Sequence, residues 1–281
     1  MLNQTLQRGF TLIEMVLVIV VGGIVAAMTV SILTLPINAY VDSARRATLT
    51  DVAESALRRM QRDIRRALPN SIRISSDGQS LELLHIVDGG RYRAKLAVDA
   101  SGALISGGGN ILDFTLNDTS FAVLGTLQNF DNITRGSDRI VIYPLDASSA
   151  SYAYTVANST VTDVASTADN LEFAALQFPL ASPQQRFFVI DTPVTYRCDT
   201  SAGIPENRVL IRYQDYNIQE VQPEPPSSGE AVQANYLSNC QFSYSSGSSS
   251  RAGLVTVELT LSDDAGESVR LIHQVHVDNQ P

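Results

Sequence analysis

The sequence predicts an α+β protein in which a long N-terminal α-helix, membrane-spanning in its first half, packs on a large antiparallel β-rich globular domain. An apolar stretch without Asp, Glu, Lys or Arg runs from residue 15 to residue 41. Apolar residues then recur at steps of three and four as far as Leu68, as on one face of a helix. From residue 70 onward, short apolar or alternating runs separated by Ser, Gly and Asn are typical of β-strands.

The composition allows a folded core and argues against two classes of protein. Of the 281 residues, 44% are hydrophobic and 17% are charged, which is not a disordered composition. Residues 1–69 hold 8 Arg and 5 acids, whereas residues 70–281 hold 12 Lys and Arg and 24 acids. A net charge of −9 argues against a general nucleic-acid binder, which needs a basic surface.

The apolar segment RGFTLIEMVLVIVVGGIVAAMTV, from Arg8 to Val30, is too long for an ordinary secretory signal. The sequence VAAM, from Val25 to Met28, offers a weak signal-peptidase site, but cleavage there would leave an apolar stub. An uncleaved membrane anchor explains everything except Glu14, because a carboxylate inside a membrane helix costs roughly 2.5–3.5 kcal/mol.

A partner for Glu14 would appear if the chain were cut between Gly9 and Phe10. Phe10 would then carry an α-amine, which is largely cationic at neutral pH. Glu14 lies four residues later, on the same face of a helix. The amine of one subunit could therefore pair with Glu14 of another, which favours lateral assembly in the membrane.

This arrangement resembles the class III signal of type IV pilins and pseudopilins. The resemblance implies a leader of residues 1–9, cleavage by prepilin peptidase between Gly9 and Phe10, N-methylation of Phe10, and Glu14 as the assembly acid. It further implies an assembly helix over residues 10–36, an amphipathic continuation over 37–69 and a periplasmic head over 70–281. The implied partners are prepilin peptidase, other major and minor pilin subunits and the inner membrane. One departure is that Pro36 lies about a turn and a half beyond Ser31, where many pilins have their helix-bending proline.

Within this family, two kinds of minor pseudopilin fit the chain. The segment RDIRRALPNSIRI (Arg62 to Ile74), the large β domain and the ending HQVHVDNQP resemble a minor pseudopilin of mannose-sensitive haemagglutinin (MSHA) pilus biogenesis. A minor pseudopilin of type II secretion with a large head is the alternative, and the N-terminus does not separate them. The orientation rests on the resemblance, because Arg45 and Arg46 near the outer end of the span weaken the positive-inside signal.

The helix is expected to run from Phe10 to Leu68 and to stop before Pro69. Its apolar face is predicted to contain Val52, Ala53, Ala56, Leu57, Met60, Ile64, Ala67 and Leu68. The other face carries Arg45, Arg46, Arg58, Arg59, Arg62, Arg65 and Arg66. This basic face is either solvated and partly docked on the acidic domain, or in contact with acidic neighbouring subunits.

In the β domain, strands are predicted over residues 72–75, 81–87, 91–98, 138–145, 186–190 and 208–214. The sequence DGG at residues 88–90 predicts a hairpin turn between the second and third of these strands. Residues 253–277 predict a second hairpin with its turn at 263–266. Cys198 and Cys240 are a candidate disulfide of an exported domain, with two unpaired thiols as the alternative.

No catalytic constellation is visible in the sequence, so we expect a structural subunit rather than an enzyme, with no cofactor, metal or small-molecule substrate. His273 and His276 are three residues apart on a predicted strand and should point to opposite faces. Two acidic segments, residues 131–138 and 262–268, lack EF-hand spacing and are interpreted as polar turns. A tip subunit that binds a surface, a sugar or DNA is the alternative function, and Arg91, Arg93 and Lys95 form its densest basic cluster.

Overall fold

The computed structural model describes residues 9–96, 100–103, 109–144, 154–155, 159–246 and 252–277. Its internal contacts divide the chain into two units, residues 1–48 and 49–281. A long N-terminal helix is followed by a large antiparallel β domain, which confirms the predicted α+β class.

Helix α1 extends over Leu12–Arg65 and remains helical through Gly22, Gly23 and Pro36. It is shorter at both ends than the predicted span of residues 10–68. At its C-terminal end the chain joins the sheet before Pro69 is reached, because the Leu68 amide donates to the Leu84 carbonyl at 2.8 Å.

The described part of the second unit contains twelve β-strands, and all of their pairings are antiparallel. The strands are β1 (Arg73–Ile74), β2 (Ser80–Arg91), β3 (Asp118–Ala122), β4 (Arg139–Ile142), β5 (Ser159–Val161), β6 (Asn170–Leu176), β7 (Arg186–Asp199), β8 (Val209–Tyr213), β9 (Ala231–Ala234), β10 (Leu237–Ser245), β11 (Gly253–Ser262) and β12 (Ser268–Val277).

Three sheets are formed from these strands. A seven-stranded sheet has the order β1-β2-β7-β4-β5, and β8 and β9 extend it from the other part of the long strand β7. A three-stranded sheet has the order β10-β11-β12, and β3 pairs with β6 in a separate ribbon. Strand β7 is therefore the centre of the domain, since it pairs with β2, β4 and β8.

The distal part of α1 packs on this domain through one apolar face. The buried residues on this face include Ala53, Leu57, Met60 and Ile64, and they share one hydrophobic core with residues of β2, β7, β8, β10, β11 and β12. Full burial of a large aliphatic side chain contributes about 1.5–3 kcal/mol, so this face holds the helix against the strands. The predicted apolar face is confirmed from Ala53 to Ile64, with Val52 at its half-buried edge. Ala67 and Leu68 are also buried, but they lie beyond the end of the helix.

A polar contact reinforces the apolar packing near the end of the helix. The Tyr196 hydroxyl on β7 and the Arg212 Nε on β8 both donate to the Asp63 Oδ2 at 2.8 Å. Arg212 is buried, so its charge depends on this carboxylate for compensation. Burial raises the pKa of Tyr196, which keeps its hydroxyl protonated as a donor to Asp63.

A second buried charge pair lies on the first two strands. Glu82 is fully buried and accepts a hydrogen bond from the Arg73 Nε at 2.6 Å. The Tyr216 hydroxyl donates to the other carboxylate oxygen at 3.0 Å, and the Arg73 guanidinium stacks 3.7 Å from the ring centroid of Tyr154. Burial raises the pKa of Glu82, an effect that Arg73 and Tyr216 oppose.

The predicted hairpin at residues 88–90 is wrong. Strand β2 continues through Asp88, Gly89 and Gly90, and all three pair with β7. Neither glycine has a left-handed φ, as a primed hairpin turn would require. A Cβ on Gly89 would lie 3.0 Å from the Phe187 carbonyl oxygen, and one on Gly90 would lie 3.1 Å from the Phe187 ring. The glycines therefore allow close packing against β7, with bulges earlier in the strand adjusting the register.

Several other strand predictions need correction. The strand expected over residues 91–98 does not form in the described residues. Only Arg91 belongs to β2, and Tyr92 makes one isolated bridge to Val123. Residues 97–99 lie outside the described part of the chain. Strand β7 is much longer than the predicted residues 186–190. The hairpin of β11 and β12 is confirmed. Strands β3, β5, β6, β9 and β10 were not predicted, because their short or polar sequences lack clear alternation.

Cys198 on β7 and Cys240 on β10 are joined in a disulfide with a Cα–Cα distance of 6.2 Å. Both residues are buried in the same core as the helix face. The bond links the seven-stranded sheet to the three-stranded sheet across a sequence separation of 42 residues.

We expect Cys198→Ser to lower the free energy of unfolding by about 4 kcal/mol, the chain-entropy value for a loop of this length. The measurement is urea unfolding of the full chain in detergent, followed by tyrosine fluorescence because the chain contains no Trp. Cys240→Ser should show the same loss, and the double variant should lose no more than either single variant. Two additive losses would show that the cysteines act separately.

Candidate assembly site at the start of the helix

Residues 9–11 precede the first turn of α1 and are not helical. The Glu14 amide donates to the Thr11 hydroxyl at 3.4 Å, and the Met15 amide donates to the Thr11 carbonyl at 3.2 Å. Thr11 therefore occupies the N-cap position, and Glu14 is the third helical residue. Thr-x-x-Glu is the sequence of a capping box, which satisfies amide groups that the first turn leaves without intrahelical acceptors.

This cap is a feature that the sequence reasoning missed. The signal was present, because Thr11 and Glu14 have the required spacing immediately before an apolar run. It assigns Glu14 a local role as well as the predicted intersubunit role, since an acid in the first turn also interacts favourably with the helix dipole. Glutamine would separate the two roles. It also satisfies a capping box, but it carries no charge and could not form the ion pair.

The bond between Gly9 and Phe10 lies in exposed, non-helical backbone. A Cβ on Gly9 would meet no atom within 4 Å, and Gly9 does not have a left-handed φ. Neither space nor backbone conformation in the described part of the chain therefore requires glycine at this position.

The first part of α1 exposes an apolar surface. Leu12–Val30 forms 19 residues with a mean hydropathy of 2.5, none of it buried, and is long and apolar enough to cross a membrane. Phe10, with 83% of its surface exposed, continues this surface beyond the start of the helix. Glu14 is the only charged residue in the described segment 9–41. Its exposed carboxylate thus lies on an otherwise uncharged surface.

The three histidines lie in the β domain and are not close together in one site. His273 is half-buried and His276 is exposed, which agrees with opposite faces of β12. His85 contacts Asp191, with its Nδ1 3.0 Å from a carboxylate oxygen. Among the residues that the structure describes, no group of three or more His, Cys, Asp or Glu could hold a metal ion.

The acidic turns and the basic cluster are partly accounted for by local packing. Asp138 accepts from the Thr134 amide at 2.8 Å, and Asp263 accepts from the Ala265 amide at 3.0 Å. These carboxylates bond to the amides of their own turns. In the basic cluster, Arg91 and Lys95 are exposed, whereas the Nε atom of Arg93 is buried.

A comparison with protein-family models identifies one match. The model of the prokaryotic N-terminal methylation motif matches residues 5–30. No curated protein and no solved structure matches the chain significantly. The motif supports a type IV pilin-like signal at the N-terminus, processing by prepilin peptidase and association with other pilins. Together with the apolar helix, it supports a single-pass, membrane-anchored protein and a structural subunit.

Proposed function

We propose that this chain is a minor pilin or pseudopilin that enters a periplasmic filament of the type IV pilus class. The observation that carries the proposal is the uncharged helix with Glu14 in its first turn, preceded by a Gly-Phe bond and matched by the methylation motif. A plain membrane anchor requires neither Glu14 nor Gly9.

In this proposal, prepilin peptidase removes residues 1–9 and methylates the new amine of Phe10. The exposed, non-helical backbone at Gly9 and Phe10 suits entry into a peptidase site. Since no packing contact within the described residues explains Gly9, recognition by the peptidase supplies the reason for this residue. Cleavage then places a cationic amine four residues before Glu14.

The new amine and Glu14 would pair between subunits inside the membrane. Each charge is costly alone in lipid, and a neighbour with complementary charge removes that cost. Each processed subunit then carries both halves of the contact within the five residues from Phe10 to Glu14. Its amine can pair with one neighbour, and its Glu14 carboxylate can pair with another. This geometry leads to a chain of subunits rather than a closed pair.

The β domain would lie in the periplasm. The Cys198–Cys240 disulfide supports this location, because disulfides form and persist in oxidising compartments. After assembly, the same domain would be carried on the filament surface. The size of this domain and the resemblance of the chain to a minor pseudopilin of MSHA pilus biogenesis favour a role in that pilus. The subunit would act in filament initiation or at the filament tip.

Deletion of the gene in the native host tests this assignment. We expect loss or strong reduction of surface MSHA pili, restored by the full chain supplied in trans, with protein export by type II secretion unchanged. The reverse pattern, with normal pili and impaired secretion, would assign the chain to the type II system instead. Normal pili and normal secretion would contradict a role in either filament.

A further inference from the structure

The exposed face of α1 in the second unit carries a dense row of positive charge. Arg58, Arg59, Arg62, Arg65 and Arg66 are all exposed, and we call them the arginine ridge. Arg58, Arg59, Arg62 and Arg65 lie along one side of α1. Arg66 directly follows the last helical residue, and its amide donates to the Arg62 carbonyl at 3.2 Å. Eight residue steps at 1.5 Å each make the ridge about 12 Å long.

In the described part of the chain, most of this charge has no carboxylate partner. Arg58 pairs with Glu54 at 2.5 Å, and both side chains are largely exposed. Within the described ranges, Arg59, Arg62, Arg65 and Arg66 have no carboxylate within ion-pair distance. The exposure of the ridge agrees with the predicted solvated face, and the described part of the acidic domain supplies no carboxylate to four of its five arginines.

Two other arginines support the fold and, unlike most of the ridge, contact carboxylates. Arg73 and Arg212 are nearly buried and contact Glu82 and Asp63, respectively. The helix dipole favours cations in the last turn and so accounts in part for Arg62 and Arg65. It does not account for Arg58 and Arg59, which lie further from the end of the helix.

The spacing within the ridge is itself repulsive. Arg62 lies three or four residues from each of the other four arginines, and like charges at this spacing destabilise a helix. An acidic partner would relieve that repulsion, whereas the same face of a second copy would increase it.

The surface beside the ridge is suited to a protein partner. A cleft of about 250 Å³ lies between α1 and β12, and Leu57, Arg58 and Ile272 are among its lining residues. Ile272 is 57% exposed and offers an apolar contact next to the charged row. The cleft on the other flank of the helix, beside Val232 on β9, is lined by Asp51 and by no arginine.

We infer that the arginine ridge docks an acidic surface of a different pilin-like subunit in the filament. This inference rests on the proposed function. A matching surface must present carboxylates in a row about 12 Å long. The ridge of a second copy would repel this one, which favours a different subunit over a symmetric pair of this chain.

The first test reverses charge on the ridge in the full chain, expressed in the native host. For Arg59→Glu/Arg62→Glu we expect roughly a tenfold smaller filament-associated fraction, because like charges would then face each other. The matched control is Arg91→Glu/Lys95→Glu, which changes the net charge equally at two exposed positions of the head and should incorporate normally. Arg59→Lys/Arg62→Lys keeps the charge and should also incorporate normally.

Folding and processing are followed in the same samples through the urea midpoint and the mass of the N-terminal peptide. Arg59→Gln/Arg62→Gln, which places no acid near the helix end, should show a smaller loss of incorporation than the Glu pair. A Glu pair that incorporates normally overturns the docking inference, and so does a Lys pair that fails. An unprocessed N-terminus in the wild-type chain would instead overturn the proposed function.

The second test identifies the occupant by photo-crosslinking in cells. A benzoylphenylalanine probe at position 66 should cross-link to an acidic peptide of another subunit that carries a methylated Phe. The same probe at position 232 is the matched control on the flank without arginines and should not yield that product. A cross-link to a second copy of this chain, a cross-link to lipid, or no cross-link at position 66 would each overturn the inference.

Discussion

Replacement of Glu14 by alanine is expected to abolish incorporation into the filament while leader cleavage and the fold of the β domain remain intact. Glu14 lies on an exposed, uncharged surface, so its loss should not disturb packing within the chain. The loss would, however, leave the neighbouring Phe10 amine without its counter-charge in lipid. Breaking a buried charge pair costs about 3–5 kcal/mol, which corresponds to a decrease in incorporation of roughly 100-fold or more.

The capping box allows charge to be separated from helix initiation. Glu14→Gln retains a residue that can complete the cap but removes the charge, and we expect it to fail as completely as Glu14→Ala. Thr11→Ala removes the hydroxyl that accepts from the Glu14 amide but leaves the charge. It should weaken the first turn by about 1 kcal/mol and still allow incorporation.

Incorporation is measured as the ratio of protein in the sheared filament fraction to protein in the membrane fraction. Normal incorporation of Glu14→Gln, together with failure of Thr11→Ala, would show that the contribution of Glu14 is the helix cap. The intersubunit ion pair would then have to be abandoned.

Replacement of Asp63 by alanine is expected to lower the free energy of unfolding by about 3–5 kcal/mol. The change leaves Arg212 buried without its carboxylate and removes the acceptor of the Tyr196 hydroxyl. Asp63 is also the polar contact of α1 with β7 and β8, so the docking of the helix end should weaken first. Urea unfolding of the full chain in detergent, followed by tyrosine fluorescence, measures the loss.

Two variants control for this effect. Asp51→Ala alters an exposed acid on the same helix and should change the free energy of unfolding by less than about 0.5 kcal/mol. Asp63→Leu combined with Arg212→Met removes both charges and should recover much of the loss, because a buried ion pair is often replaced by apolar residues at little cost. A loss below about 1 kcal/mol for Asp63→Ala would show that the apolar face alone holds the helix.

The sequence was sufficient for the features that depend on local chemistry. The uncharged run after Glu14 and the periodic row through Ala53, Met60 and Ile64 each have one strong physical interpretation, so the helix and its buried face were predictable. The hairpin of β11 and β12 was equally clear, because alternation on both sides of a polar turn specifies it.

The features that depend on distant contacts were not predictable. The local sequence at Gly89 and Gly90 predicts a turn, but Phe187, almost a hundred residues later, determines their role in β2. Strand β10 pairs with β11 despite its polar sequence, because Phe242 and Cys240 reach the core that α1 helps to form. At the candidate site, the signal predicts the roles of Gly9, Phe10 and Glu14, whereas the role of Thr11 follows from the position at which the helix starts.

The most direct test of the assembly account is the mass of the N-terminal peptide of the mature chain, from cells with and without prepilin peptidase. We expect a chain that begins at Phe10 and carries one added methyl group on its amine, only in cells that contain the peptidase. An intact Met1 in both strains would contradict it, and the chain would then be a membrane anchor whose Glu14 serves the helix cap.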